Sequence, residues 1–576
     1  MQELMLGNAA VACGLYQAGC RVVSSYPGTP STEITEVAGR FSELQATWAP
    51  NEKVAAEMAI GAAIGGARAF TAMKHVGLNV AADPLFTSSY TGVNAGLVLA
   101  VADDPGMHSS QNEQDSRHYA VAAKLPMLEP ASSAECLSYT ELAFDLSEQF
   151  DTPVLLRLST RVSHSQSLVE VQERGPVESR PYEKNAAKYV MVPANAQRRH
   201  PVVEARQRAL AQWAETTEIN CIEWGDRKIG IITSGICYAY AKEALPEASF
   251  LKLGMVHPLP DGLIEIFAVG VDTLYVIEEL DPVIETHCRA MGLEVIGKSI
   301  FPLCGEYSQG MIREKIQGEK ATSVALDEPL PGRPPVMCAG CPHRPVFHTL
   351  SRMGVQVMGD IGCYTLGAAA PLSAMDTTIC MGFSVSGLAG FNLAVGAPNR
   401  AVAVIGDSTF IHSGITGLIN MVYTGGTGTI LILDNSITAM TGHQDNPTTG
   451  RDLRGDAVPQ ISLEALCSAV GVRQVQVVDP YDLDALRTAI KGGLEAEEVS
   501  VIIARSPCAL LRGIEHKLPV VVDDCRGCKV CMKIGCPAMS FSEGRVHVDT
   551  TLCVGCGLCA GLCTFGCISA GEVVAL

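Results

Sequence analysis

The sequence predicts an α/β chain of several parallel-sheet domains, closed by a small Cys-rich domain. Three observations carry that reading. Short apolar runs such as Arg21-Val22-Val23-Ser24 alternate with Ala/Gly-rich helical patterns, the rhythm of βαβ units. The 576 residues are 47% hydrophobic with 55 Gly and 31 Pro, a folded and turn-rich composition. That length accommodates about three to five domains, each with its own core. Finally, nine of the 22 Cys fall from Cys525 onward.

Charge narrows the function classes. With 61 acidic against 42 basic residues the formal charge is −19, and no basic block interrupts it. Such a surface repels nucleic acid and anionic membranes. No apolar run reaches the roughly 18 residues that a spanning helix needs. The start, Met1 to Arg21, lacks a basic n-region, so a cytoplasmic location is expected. Thiols clustered at fixed spacing in such a chain point to metal ligation rather than disulfides.

In chain order, residues 1–165 form the first α/β block, with Gly96-Leu97-Val98-Leu99-Ala100-Val101 as a buried strand. A more charged connecting segment, 166–224, follows. The block 225–328 repeats the style through Gly230-Ile231-Ile232-Thr233 and Leu274-Tyr275-Val276-Ile277. Pro329-Leu330-Pro331-Gly332-Arg333-Pro334-Pro335 reads as a linker. The block 336–515 contains the strands Ala401–Ile405 and Thr429–Leu433, and 520–576 is short and poor in core.

The last block holds Cys525-x2-Cys528-x2-Cys531-x4-Cys536-Pro537 and, 28 residues on, Cys553-x2-Cys556-x2-Cys559-x3-Cys563. Three thiolates at this spacing wrap one corner of a cubane cluster. Paired zinc knuckles are the alternative, but they leave the third Cys of each triplet idle. The block resembles a bacterial two-[4Fe–4S] ferredoxin. That resemblance implies crossed ligand sets: Cys525, Cys528 and Cys531 with Cys563, and Cys553, Cys556 and Cys559 with Cys536. Thr564 stands where the pattern has Pro, and Cys567 is a nearby alternative to Cys563.

Gly406-Asp407-Ser408 directly follows an apolar strand, and Asp434-Asn435-Ser436 follows the next, with 27 residues between Asp407 and Asn435. A carboxylate and an amide oxygen at adjacent strand ends suit one Mg²⁺ that neutralises a diphosphate on a helix N-terminus. A turn Asp and a capping Asn are the bland alternative. The spacing is similar to the thiamine-diphosphate motif of a GDG turn and a later Asn, with Ser408 replacing the second Gly. The motif implies the Ile437 carbonyl as the third protein ligand. Thiamine enzymes also need a Glu facing the aminopyrimidine, and the segment from Asn51 to Gly61 resembles the one that carries it. Glu52 takes that role, with Glu57 second.

Tyr26-Pro27-Gly28-Thr29-Pro30-Ser31 resembles a loop of the 2-oxoacid:ferredoxin oxidoreductases in which the Thr, here Thr29, contacts the substrate carboxylate. Thr441-Gly442-His443-Gln444 resembles that family's turn beside the cofactor. The strings Met73–Asn79, Ser110–Asp115 and Cys338-Ala339-Gly340-Cys341-Pro342-His343-Arg344 are similar to the large subunits of its indolepyruvate branch, across nearly the whole chain. The resemblance implies a pyrimidine-binding domain at 1–165, a transketolase C-terminal-like domain at 225–328, a diphosphate and Mg²⁺ domain at 336–515 and a two-cluster ferredoxin domain at 520–576. It also implies a third [4Fe–4S] cluster on Cys338, Cys341, Cys363 and Cys508, with buried thiols or zinc as the alternatives. Lys74, His75 and Arg117 either hold a substrate or satisfy an interface.

The implied activity is oxidative decarboxylation of aryl-2-oxo acids, such as indolepyruvate and phenylpyruvate, to aryl-acetyl-CoA. Electrons pass to an external ferredoxin, and a separate beta subunit completes a hetero-oligomer. Two alternatives remain: a non-oxidative thiamine-dependent decarboxylase and a ferredoxin oxidoreductase for another 2-oxo acid. A non-catalytic electron relay is the rival from a different class.

Overall fold

The computed structural model describes residues 2–175, 179–320, 328, 330, 332, 334–395 and 401–570. Of the Pro-rich linker, Pro329, Pro331 and Arg333 lie outside the described residues. The chain divides into two compact units, Met1–Asp327 and Glu328–Leu576.

The first unit is built on a seven-stranded sheet in the order Met255–His257, Met127–Leu128, Val154–Ser159, Leu97–Asp103, Ala69–Lys74, Val22–Ser25, Gln45–Trp48. All neighbours are parallel except Met255–His257, which runs antiparallel at one edge. Every residue of Leu97–Asp103 and Val154–Ser159 is buried, as expected when helices cover both faces. A four-stranded sheet follows, ordered Thr273–Ile277, Asp226–Ser234, Ala248–Leu253, Asn220–Glu223. Its Leu251 and Val276 share one apolar cluster with Leu97 and Leu99 of the larger sheet. The segment 166–224 is more than a connector. Gln166–Glu170 pairs with Gln2–Leu6, Pro193–Ala214 is a long helix, and Asn220–Glu223 supplies an edge strand.

The second unit carries a five-stranded, wholly parallel sheet in the order Gln356–Met358, Ala401–Gly406, Gly428–Asp434, Val499–Arg505, Gln474–Val478. Two apolar clusters, one on each face, sandwich it. After residue 520 regular structure is sparse. Val521–Val522 pairs with Ile568–Ser569, Met539–Ser542 forms a hairpin with Arg545–Val548, and two short helical turns carry Cys531 and Cys559. Its small core mixes aliphatic side chains with those two thiols. Among the described residues no helix is long and apolar enough to cross a membrane.

Candidate cofactor site and thiol clusters

In the second unit, the adjacent strands Ala401–Gly406 and Gly428–Asp434 pair Gly406 with Leu433, so Asp407 and Asn435 emerge at neighbouring carboxyl ends. In open parallel sheets this edge is where ligands bind. A Cβ on Gly406 would fall 2.8 Å from the Tyr364 ring, so any larger residue here would force that ring to shift. Asp407 is buried and opens the helical stretch that follows. Burial first, and then the neighbouring Asp434, push its carboxyl up to about 7. Arg505 holds Asp434 at 2.6 Å, whereas among the described residues no cation pairs with Asp407. Its partners are the Ser408 N–H at 2.8 Å, the Asn446 side chain and, more weakly, the Thr448 hydroxyl at 3.4 Å. A buried carboxyl that burial neutralises and no cation offsets fits a metal ligand, because a divalent ion would restore its charge. Thr448 and the Asn446 it donates to at 2.7 Å escaped the sequence reading. Their only signal is the turn chemistry of Asn446-Pro447-Thr448.

The Thr441 turn lies in the same unit. Thr441 donates to Gln444 Oε1 at 2.5 Å, and His443 occupies the left-handed region at φ +68. His443 Nε2 lies 3.9 Å from Cys508 Sγ. The Cys508 N–H donates to the Asn435 carbonyl at 3.0 Å, and Ile437 is buried just beyond.

The thiols fall into three neighbourhoods. Cys531 is in electrostatic reach of Cys528, Cys525 and Cys563. Cys559 is in reach of Cys556, Cys536 and Cys553. Cys363 is in reach of Cys508 and Cys338, and Cys341 of Cys338 and Cys363. Gly340, at φ +67, shapes the Cys338–Cys341 loop. Cys567 turns its thiol to the Asp524 carbonyl at 3.2 Å and gives its N–H to Cys563 Sγ at 3.2 Å. Against the raising effect of burial, the N–H groups of Cys567, Phe565 and Ile568 hold the Cys563 thiol below its ordinary range. A cavity is lined by Cys536, Cys553, Cys556 and Cys559 together with Cys341 and Arg344. Among the described residues no three His, Cys, Asp or Glu side chains close on one metal ion. The fit to a cluster therefore rests on the thiol neighbourhoods and the shared cavity.

In the first unit, Asn51 caps the helix Glu52–Ile64 by accepting from the Val54 N–H, and Glu52 is buried in its first turn. A Cβ on Gly77 would fall 2.6 Å from Glu52 Oε1, so this Gly makes room for the carboxyl. Glu57 is instead exposed and paired with Lys53. The Thr29 loop, Lys74 and Ser109 meet at the carboxyl edge of three neighbouring strands. Lys74 Nζ donates to the Ser109 carbonyl at 2.9 Å, and the Ser109 hydroxyl to the Thr29 carbonyl at 3.3 Å. His75 is buried, with Nε2 3.2 Å from the Asn112 carbonyl oxygen. Arg117 is fully buried between Asp115 at 2.6 Å and Glu278 at 2.5 Å. It joins the two sheets of this unit, which is the interface role.

Two families match. One is described as pyruvate flavodoxin/ferredoxin oxidoreductase, thiamine diphosphate-binding, over residues 13–221. The other is described as thiamine pyrophosphate enzyme, C-terminal TPP binding domain, over residues 360–504. Among curated proteins, the chain is 43% identical to "Indolepyruvate oxidoreductase subunit IorA" of Archaeoglobus fulgidus, over 97% of this chain and 96% of that protein. It is 41% identical to the same subunit of Methanothermobacter thermautotrophicus, over 98% and 96%. A "2-oxoglutarate synthase subunit KorA" of Archaeoglobus fulgidus is 25% identical over 52% of this chain and 96% of that protein.

Proposed function

This chain belongs to the family of indolepyruvate oxidoreductase IorA subunits, an oxidoreductase family with thiamine-diphosphate-type domains, and from that premise we propose that it oxidatively decarboxylates aryl-2-oxo acids. Indolepyruvate and phenylpyruvate are the proposed substrates. The oxo acid loses CO2 and two electrons, two ferredoxins gain one electron each, and the acyl group ends on the CoA sulfur with release of the thiol proton. A beta subunit is the proposed partner in a hetero-oligomer.

When bound, thiamine diphosphate supplies a carbon nucleophile and electron sink, and [4Fe–4S] clusters supply one-electron carriers. The chain's own residues do the rest. Asp407, Asn435 and the Ile437 carbonyl would hold Mg²⁺, while Gly406, Ser408 and Thr441 would line the diphosphate. Glu52 would hold a proton at its buried carboxyl, and Thr29 would orient the substrate carboxylate. Cys525, Cys528, Cys531 and Cys563 would hold one cluster, and Cys536, Cys553, Cys556 and Cys559 a second. Cys338, Cys341, Cys363 and Cys508 would hold a third, and the region from 520 onward would act as a ferredoxin-like module. The observation that carries the reading is the backbone hydrogen bond from Cys508 to Asn435, which sets a Cys of the third set beside the Mg²⁺ candidate at one sheet edge.

The test is anaerobic co-expression with the beta subunit, followed by assay of ferredoxin reduction with indolepyruvate and CoA. Faster turnover of pyruvate than of any aryl acid would sink the specificity. Aldehyde release without a reduced acceptor would favour the non-oxidative decarboxylase instead.

A further inference from the structure

Arg344 lies in the first turn of the helix His343–Met353 and is only 3% exposed. A guanidinium stays charged at any ordinary pH, so burying one without a counter-ion is costly. Its donors reach only neutral backbone carbonyls. Nη1 donates to Ile534 and Gly535, each at 2.7 Å, immediately before Cys536. Nη2 donates to Cys338 at 3.0 Å and to Met337, on the loop that carries Cys341. Nε is buried without a hydrogen-bond partner. Among the described residues no carboxylate pairs with Arg344. The potential anions around it are thiols. It shares a cavity with Cys536, Cys553, Cys556, Cys559 and Cys341, and its charge favours the thiolates of Cys341, Cys536 and Cys556.

We infer that Arg344 is a positioning residue that serves as the fixed counter-cation of the cluster on Cys536, Cys553, Cys556 and Cys559 and raises its reduction potential. The inference rests on the proposal that these thiols hold a cluster. Adding an electron makes a thiolate-ligated cubane more negative. A cation locked beside it in a low-dielectric cavity therefore stabilises the reduced form more than the oxidised one. The same guanidinium ties the Cys338–Cys341 loop to the segment entering Cys536, so loss of its charge also bears on Cys341.

The test uses the anaerobically reconstituted full-length chain as wild type, Cys556→Ala, Arg344→Gln and Arg344→Lys. Iron content is measured first, and then a dithionite titration is followed by EPR. Arg344→Gln is expected to keep its iron and to lower the one-electron reduction equilibrium constant of this cluster tenfold or more, a negative shift of about 59 mV. Arg344→Lys, which keeps the charge, should recover most of that shift. Iron lost from the Gln variant alone, with the Lys variant at the wild-type potential, also supports the counter-cation role. If Cys556→Ala leaves the iron content unchanged, the cluster reading falls and the inference with it. Intact iron with an unshifted potential in Arg344→Gln overturns the inference alone, as does an equal shift in Arg344→Lys. Iron lost from both Arg344 variants would make the residue a structural clamp only and would also overturn it.

Discussion

The backbone N–H of Cys508 donates to the carbonyl of Asn435 at 3.0 Å. Cys508 follows the strand Val499–Arg505 and Asn435 follows Gly428–Asp434, and these strands are parallel neighbours. One sheet edge thus joins the backbone of a candidate Mg²⁺ ligand to that of a candidate cluster ligand.

Asp407→Ala should abolish retention of thiamine diphosphate, because Asp434, the carboxylate at the end of the next strand, is already held by Arg505 and does not replace it. Acid release and fluorescence measure the cofactor, and a loss of at least about tenfold in affinity, roughly 1.4 kcal/mol, is expected. Unchanged thiamine content would remove the Mg²⁺ assignment.

The reconstituted chain should bind about twelve iron atoms, four per cubane. Cys341→Ala should lose about four of them while thiamine stays bound. A count near eight that this substitution leaves alone would eliminate the third cluster.

Gly77→Ala would press a methyl to 2.6 Å from Glu52 Oε1. Overpacking costs about 1–3 kcal/mol and displaces the carboxyl. Turnover should fall about tenfold or more at full thiamine occupancy. Unaltered kcat would argue against Glu52 as the proton-holding group.

Arg117→Ala strands Glu278 as a buried carboxylate without an ion-pair partner and leaves Asp115 only its longer pair with Arg157 at 3.8 Å. The expected loss is about 3–5 kcal/mol of stability, read as a lower Tm. A variant with normal Tm and a raised substrate KM would return Arg117 to the substrate site.

His257 titrates low, at about 4, first because it is buried and then because His287 and Lys124 are nearby. Gln207 Nε2 lies 2.8 Å from its Nε2, an arrangement that suits the neutral ring. A depressed folded pKa contributes stability above the unfolded value near 6.5 and loses it as pH falls towards 4. Urea unfolding of wild type and His257→Asn should show the wild type losing up to roughly 3 kcal/mol more on acidification across that window. Parallel pH profiles would refute the burial effect.

Much of the candidate site was legible because its signals are local. A strand followed by Gly-Asp-Ser, and a second followed by Asp-Asn-Ser, offer two candidate ligands, which meet once the strands pair as neighbours. The Cys spacings likewise bring each triplet together within a single turn or loop. The sequence by itself therefore determined the parallel α/β architecture and the residues that could serve each site. It put Glu52 before Glu57 by resemblance alone, because the Ala-rich helix Glu52–Ile64 has no strongly apolar face to orient it. Only the tertiary structure buries Glu52 against Gly77 and leaves Glu57 on the surface with Lys53. It likewise commits Arg117 to Glu278, 161 positions away, and Arg344 to Ile534, 190 positions away. Whether a charge is paired or stranded depends on segments distant in sequence, and no local pattern records those.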